Sequence, residues 1–403
     1  MNIKRVITGI LSLASLVILL SGCEYDVKTP LWYDDYTNPP VPVISRIEPA
    51  NIAGPGVQKI TIYGENFSAT AARNFVYFDK TQAELLNSTT TSITVRRPAI
   101  ISDSAVIKVA SGDAVQVVKY SPYKITSVWS NFGDFLGNPT IAGIAVDNAE
   151  NVYIVQNITT PRTIYKITPD GIKTNLGEST RNVTEIFVGP GNKLYILMNY
   201  RRINQVDLNS GENIEYVDIG KTVSFGDFDR HGIMYVGGSK SDLFVVDTNK
   251  NKKAVGVYAL YNILGIRVFE DYVYVLATHT RPGNGDVTTG IWKHKINDTA
   301  GTLAAGELVL DWATTGAYAA STPYGFTFTQ DGNMLIATDY SQPIMILGRD
   351  GSIDYLYKDI LPTYAANIEW GTGNFLYMLL DGEARTLVRI DMGAPGAPYY
   401  GRQ

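Results

Sequence analysis

The chain has 403 residues, a formal charge of −5 at pH 7, three histidines and one cysteine. That length leaves room for two domains, and the slight acidity argues against nucleic acid, which needs a basic surface. A single cysteine and so few histidines exclude Cys/His zinc clusters, and no HExxH, GxSxG or P-loop pattern occurs.

At the N-terminus, Lys4 and Arg5 precede the uncharged apolar residues 6–20, the layout of a secretory signal and short for a bilayer span. Leu20-Ser21-Gly22-Cys23 then resembles the bacterial lipobox. The resemblance implies removal of residues 1–22 and lipid attachment at Cys23, so an outer-membrane lipid anchor is expected. Residues 23–41 mix acids, aromatics and prolines without periodicity and read as a tether. Glu24, Asp26, Asp34 and Asp35 resemble the signals that send Bacteroidetes lipoproteins to the cell exterior.

In residues 42–123, the alternating run Lys59-Ile60-Thr61-Ile62-Tyr63 leads into the turn Gly64-Glu65-Asn66, with Phe67 placed to cap a sandwich core. Together with Val43-Ile44-Ser45-Arg46-Ile47-Glu48-Pro49 and Phe75-Val76-Tyr77-Phe78, this stretch resembles an IPT/TIG immunoglobulin-like domain. Such domains act as spacers or contact modules. Closing strands are expected over 92–95, 105–110 and 115–120.

From residue 124 onward one unit recurs. Residues 144–146 form a short apolar strand, a polar turn follows, then a Tyr-centred strand over 152–155, a loop, a third strand over 163–167 and the hairpin signal Asp170-Gly171. The central position returns as Tyr153, Tyr195, Tyr235, Tyr274, Leu335 and Tyr377, at a spacing of about 40 residues stretched to about 60 before Leu335. A strand-only period of that length is what β-propeller blades show. The pattern resembles NHL-type propellers, so the expected fold is all-β: an immunoglobulin-like sandwich, then a six-bladed propeller over 124–403. The segment Gly393-Ala-Pro-Gly-Ala-Pro398 cannot supply the last blade's fourth strand. Residues 124–132 are expected to supply it and close the ring, with residues 396–403 dispensable.

In a propeller the entrances of the innermost strands share a face with the loops joining second to third strands, where ligands bind. Here that face holds Tyr200, Tyr324 and Tyr340 as flat platforms, with Arg201, Arg202, His279, Arg281 and Asp339 as polar companions. A ring beside arginine, amide and carboxylate suits a sugar. The six entrance positions read Gly143, Glu185, Phe225, Gly265, Gly325 and Asn367. NHL-like lactonases hold a divalent cation there, but the channel candidates Glu185 and Asn367 are too few donors for a hard-cation cage. No catalytic residue, metal or other cofactor is assigned. The leading expectation is a non-enzymatic surface lipoprotein capturing a glycan or a glycan-bearing partner. The alternatives are a lactonase-like hydrolase or lyase with a metal at the channel mouth, or a purely structural adhesion or docking module.

Overall fold

The computed structural model describes residues 40–402 apart from 113, 115, 136–139, 159 and 381–385. Cys23, the signal segment and nearly all of the tether therefore lie outside the described residues. Among the described residues the chain is all-β, its only helical pieces being four short 3-10 turns.

The first part is two packed sheets. One joins Val43–Glu48, Lys59–Glu65, Ser92–Arg96 and Leu85–Ser88; the other joins Ile52–Ala53, Val118–Ile125, Ser102–Ser111, Asn74–Phe78 and Thr81–Gln82. The alternation in Lys59–Glu65 decides which face turns inward: Ile60 and Ile62 are fully buried among Val76, Phe78 and Ile93. Gly64 is obligatory, since a Cβ there would lie 1.7 Å from the Val43 carbonyl oxygen. Phe67 then folds into the core as the sequence pattern requires.

The second part is six four-stranded antiparallel sheets. Their first strands are Ile141–Val146, Glu185–Gly189, Phe225–Phe228, Tyr261–Phe269, Pro323–Phe328 and Ala365–Trp370. Each lies beside the first strand of the next sheet, and Ala365–Trp370 lies beside Ile141–Val146. Two of the recurring tyrosines tie a sheet to its own turn. The Tyr153 hydroxyl donates to Asp147 at 2.8 Å and that of Tyr235 to Asp229 at 3.1 Å.

The strand expected over 124–132 is divided between the two parts. Its beginning belongs to Val118–Ile125, which pairs with Ser102–Ser111 inside the sandwich. Only Trp129–Asn131 crosses over, pairing with Leu387–Asp391 as the outer strand of the last sheet. The short passage between is fixed by Arg97, which donates to the carbonyls of Gly54 (2.7 Å) and Thr126. Further contacts bind the sandwich to residues 354–358: Arg96 pairs with Asp354 at 2.9 Å, Glu84 with Lys358 at 2.8 Å, and the Gly56 N–H donates to the Tyr357 hydroxyl at 2.7 Å.

The C-terminal residues overturn the expectation that they are dispensable. Gly396 bridges Thr329, and the Ala397 N–H donates to the Phe328 carbonyl at 3.0 Å, carrying the chain across the far ends of the first strands. Arg402, only 7% exposed, donates to the carbonyls of Val146, Trp370 and Gly371 and pairs with Glu369 at 2.8 Å. Proline and glycine do prevent a strand here, but a buried cation with its carbonyl partners serves instead to join the first and last sheets. Arg402→Ala should cost about 3 kcal/mol, because it leaves desolvated acceptors behind. Chemical denaturation with an unchanged midpoint would contradict this role.

Candidate functional site

The sequence-aligned entrance positions do converge. Glu185, Phe225, Gly265, Gly325 and Asn367 line one cavity together with Tyr324, Leu264 and Arg267. Its volume is about 30 Å³, room for about two waters. Asn367 is oriented by the Ile368 N–H on its Oδ1 (2.8 Å), which leaves its Nδ2 to donate to Glu185 Oε2 at 3.0 Å. Gly325 permits this, since a Cβ would sit 2.8 Å from Asn367 Oδ1.

Two residues further along each first strand lies a second layer that the sequence reading missed: Ala145, Phe187, Asp227, Arg267, Thr327 and Glu369. Strand alternation puts i and i+2 on the same side. Each of these residues also sits directly across the ladder from a recurring central residue, Tyr153, Tyr195, Tyr235, Tyr274, Leu335 and Tyr377 in turn. The same repeat that located the sheets therefore contained the signal.

This layer is ionic. Arg267 pairs with Glu369 and stands 3.9 Å from Asp227. Asp227 also accepts the N–H groups of Phe228 (2.6 Å) and Val268 (2.7 Å). Glu369 takes Arg402 on its other oxygen, and the Tyr399 ring stacks against both guanidiniums, with centroid distances of 5.1 and 4.8 Å. Burial works against the Arg267 charge, yet Glu369 and Asp227 outweigh it and hold the guanidinium protonated above its usual range. Burial raises Asp227 to about 6 despite the attraction of Arg267. Glu185 is pushed up to about 8, first by burial and also by Glu369, with Arg267 and Asn367 pulling the other way. Burial therefore favours the protonated carboxyl at the channel mouth at neutral pH.

The remaining sequence candidates are distributed over separate sheets. Tyr200 lies under the Arg181 guanidinium at 4.1 Å, while Arg201 and Arg202 pair with Asp218 at 2.5 and 3.5 Å. His279 stands edge-on to Tyr261 at 4.6 Å and accepts the Arg281 N–H on Nδ1 at 3.2 Å; Arg281 itself is exposed. Asp339 accepts the Thr322 N–H at 2.8 Å and so shapes its own loop, and Tyr340 packs on Tyr318 at 4.9 Å. Of the eight face candidates, only Tyr324 shares the cavity with Glu185 and Asn367.

His294, a polar residue of an alternating strand and so expected to face outward, lies in the core instead. It is 1% exposed, its Nδ1 lies 3.0 Å from the Ala304 carbonyl and its Nε2 2.8 Å from the Tyr258 hydroxyl. A carbonyl only accepts, so Nδ1 carries the proton and Nε2 accepts from Tyr258. The ring is a core strut on the face it shares with Trp292 and Ile296, with Lys293 and Lys295 on the opposite face.

Residues 42–128 match the family model of the IPT/TIG domain. No curated protein matches the sequence. Among solved structures, an auxiliary nutrient binding protein from Bacteroides thetaiotaomicron is similar at 14% identity and a TM-score of 0.51, over 87% of this chain and 97% of that one. A luciferin-regenerating enzyme is similar at 14% identity and a TM-score of 0.54, over 68% of this chain and 98% of that one. A gluconolactonase from Xanthomonas campestris is similar at 13% identity and a TM-score of 0.50, over 72% and 91%. At these identities the likeness is one of fold, a propeller-type β-architecture.

Glu185 makes stability depend on pH with a definite sign. Its folded pKa lies above the unfolded value of 4.5, so the folded chain holds a proton that the unfolded chain has lost, and stability falls as pH rises from about 4.5 through about 8. Glu185→Gln removes that dependence. Its melting temperature relative to the parent should rise between pH 5 and pH 9 by at least about 2 °C, the shift that about 1 kcal/mol gives in a large domain. A difference that stays flat across this range would contradict a protonated Glu185.

Proposed function

We propose that the chain is a surface-tethered binding protein: a lipid on Cys23, a tether over 23–41, the IPT/TIG domain as a rigid spacer, and a six-bladed propeller over the remainder. In this reading the ring is closed twice, by Trp129–Asn131 in the last blade and by the C-terminal residues at the axis. The ligand class is a glycan or a glycan-bearing partner, bound on the face where the first strands begin.

The observation that carries this reading is the state of the channel acids. Asp227 and Glu369 already have Arg267 and Arg402 as partners, and Glu185, whose pKa burial raises to about 8, is held by Asn367. A divalent cation at the axis would have to displace a guanidinium, so the channel favours neutral oxygen ligands, which a protonated carboxyl, an amide and a phenol can bind. The shared fold of the auxiliary nutrient binding protein, extending through both parts of this chain, supports the same reading by analogy. A surface position rests on the lipobox and the acids after it.

The test presents residues 24–403 to an array of bacterial and host glycans. Capture is expected, and Tyr324→Ala should weaken it by about 1 to 3 kcal/mol without lowering the melting temperature. In cells, Cys23→Ser should abolish palmitate labelling and release the chain from membranes. An array without a hit would remove the glycan reading, and unchanged membrane fractionation of the cysteine variant would remove the anchor.

A further inference from the structure

The channel mouth admits a hydroxyl or a carbonyl, not a sugar ring. A ring-sized space exists elsewhere, in the groove between the fourth and fifth sheets, which has a volume of about 400 Å³. That is within the range of small-ligand sites.

Its origin is a mismatch of strand length. The fourth sheet runs Tyr261–Phe269, Tyr272–His279 and Thr289–Lys295, nine, eight and seven residues. The facing sheet ends in Ile344–Leu347 and Ile353–Tyr355, four and three residues. The outer half of the longer sheet is left uncovered, and the opposite wall includes Gly348 and Gly351, which put no side chain into the gap.

The uncovered face has a definite chemistry. Tyr272 and Tyr274, alternate residues of one strand, lie with ring centroids 6.3 Å apart and planes tilted by 57°, so each offers its own ring face to the groove. At the inner end of the groove the Tyr274 ring meets Phe328 of the facing sheet at 4.8 Å. Across the ladder Tyr274 pairs with Lys293 and Lys293 with Glu307, whose side chains meet at 3.2 Å, and the Lys293 ammonium lies 5.1 Å over the Tyr272 ring. On the other wall Arg349 pairs with Glu270 at 2.9 Å. Two cations balance two carboxylates, so neither an anion nor a cation is favoured. A neutral ligand with an apolar face and peripheral hydroxyls satisfies both the aromatic rings and the walls. The groove of about 340 Å³ between Asp247 and Leu303 makes the contrast: its walls are aliphatic and polar, without an aromatic ring.

We infer that the groove between the fourth and fifth sheets is a carbohydrate subsite that stacks one neutral pyranose ring on Tyr272, beside Tyr274, with the Lys293–Glu307 and Glu270–Arg349 pairs hydrogen bonding its hydroxyls. The inference rests on the glycan reading above and adds to it a second subsite, separate from the channel face.

The test uses saturation-transfer NMR on residues 24–403 with the methyl glycosides of glucose, galactose and mannose, and with α-1,4- and β-1,3-glucan hexasaccharides. At least one probe should bind. Tyr272→Ala should weaken it about tenfold or more, the loss of one aromatic anchor. Tyr272→Phe should retain binding, since the ring face carries the contact, and both variants should keep the parent melting temperature. A probe lost in Tyr324→Ala but unaffected by Tyr272→Ala would overturn the groove and leave the channel-face reading standing. Binding equal to the parent in Tyr272→Ala, or no binding by any probe, would also overturn it.

Discussion

The structure depends on keeping a small group of charges satisfied where there is almost no water. Asp227 and Glu369 enter the axis on two of the six first strands, Arg267 on a third, and Arg402 arrives from the chain's end. A carboxylate buried alone would cost several kcal/mol, so these sheets can converge only with the guanidiniums in place. The position of the C-terminus, the closeness of first and last sheets and the chemistry left at the channel mouth all follow from that pairing.

Much of the architecture was legible because it rests on local periodicity. Alternation in Lys59–Glu65 and Gly64 near its end specify the sandwich, and the recurring Tyr specifies the sheets. The aligned entrance positions identified Glu185 and Asn367, which do meet. Three features stayed hidden for physical reasons. Arg402 is a cation near a terminus, a context that ordinarily means solvent, and its burial depends on carbonyls from residues far away in sequence. His294 is a polar group on a face it shares with Trp292 and Ile296, and its burial depends on tertiary partners, Tyr258 and Ala304, that lie outside its strand. The Lys293–Glu307 wall depends on the relative lengths of two neighbouring sheets, which no single repeat encodes.

The face candidates divide along the same line. Tyr200, Arg201, Arg202, His279 and Tyr324 lie within strands, and Arg201, Arg202, Asp339 and Tyr340 are engaged with neighbours that complete their own loops and sheets. Residue type alone does not distinguish a side chain that presents itself to a ligand from one that closes a turn. Tyr324 differs because Gly325 and Asn367 beside it leave a cavity, and Tyr272 because the neighbouring sheet stops short. In both cases the discriminating feature is missing volume.

The central claim is that arginines, rather than a metal, balance the channel acids. The most direct measurement is metal analysis of residues 24–403 after dialysis, combined with melting in chelator and in millimolar calcium, magnesium, manganese or zinc. A cation that binds only the folded state raises its stability by mass action. The account predicts substoichiometric metal and one melting temperature in all conditions. A stoichiometric ion that raises the midpoint, and that is lost in Glu185→Ala, would contradict it.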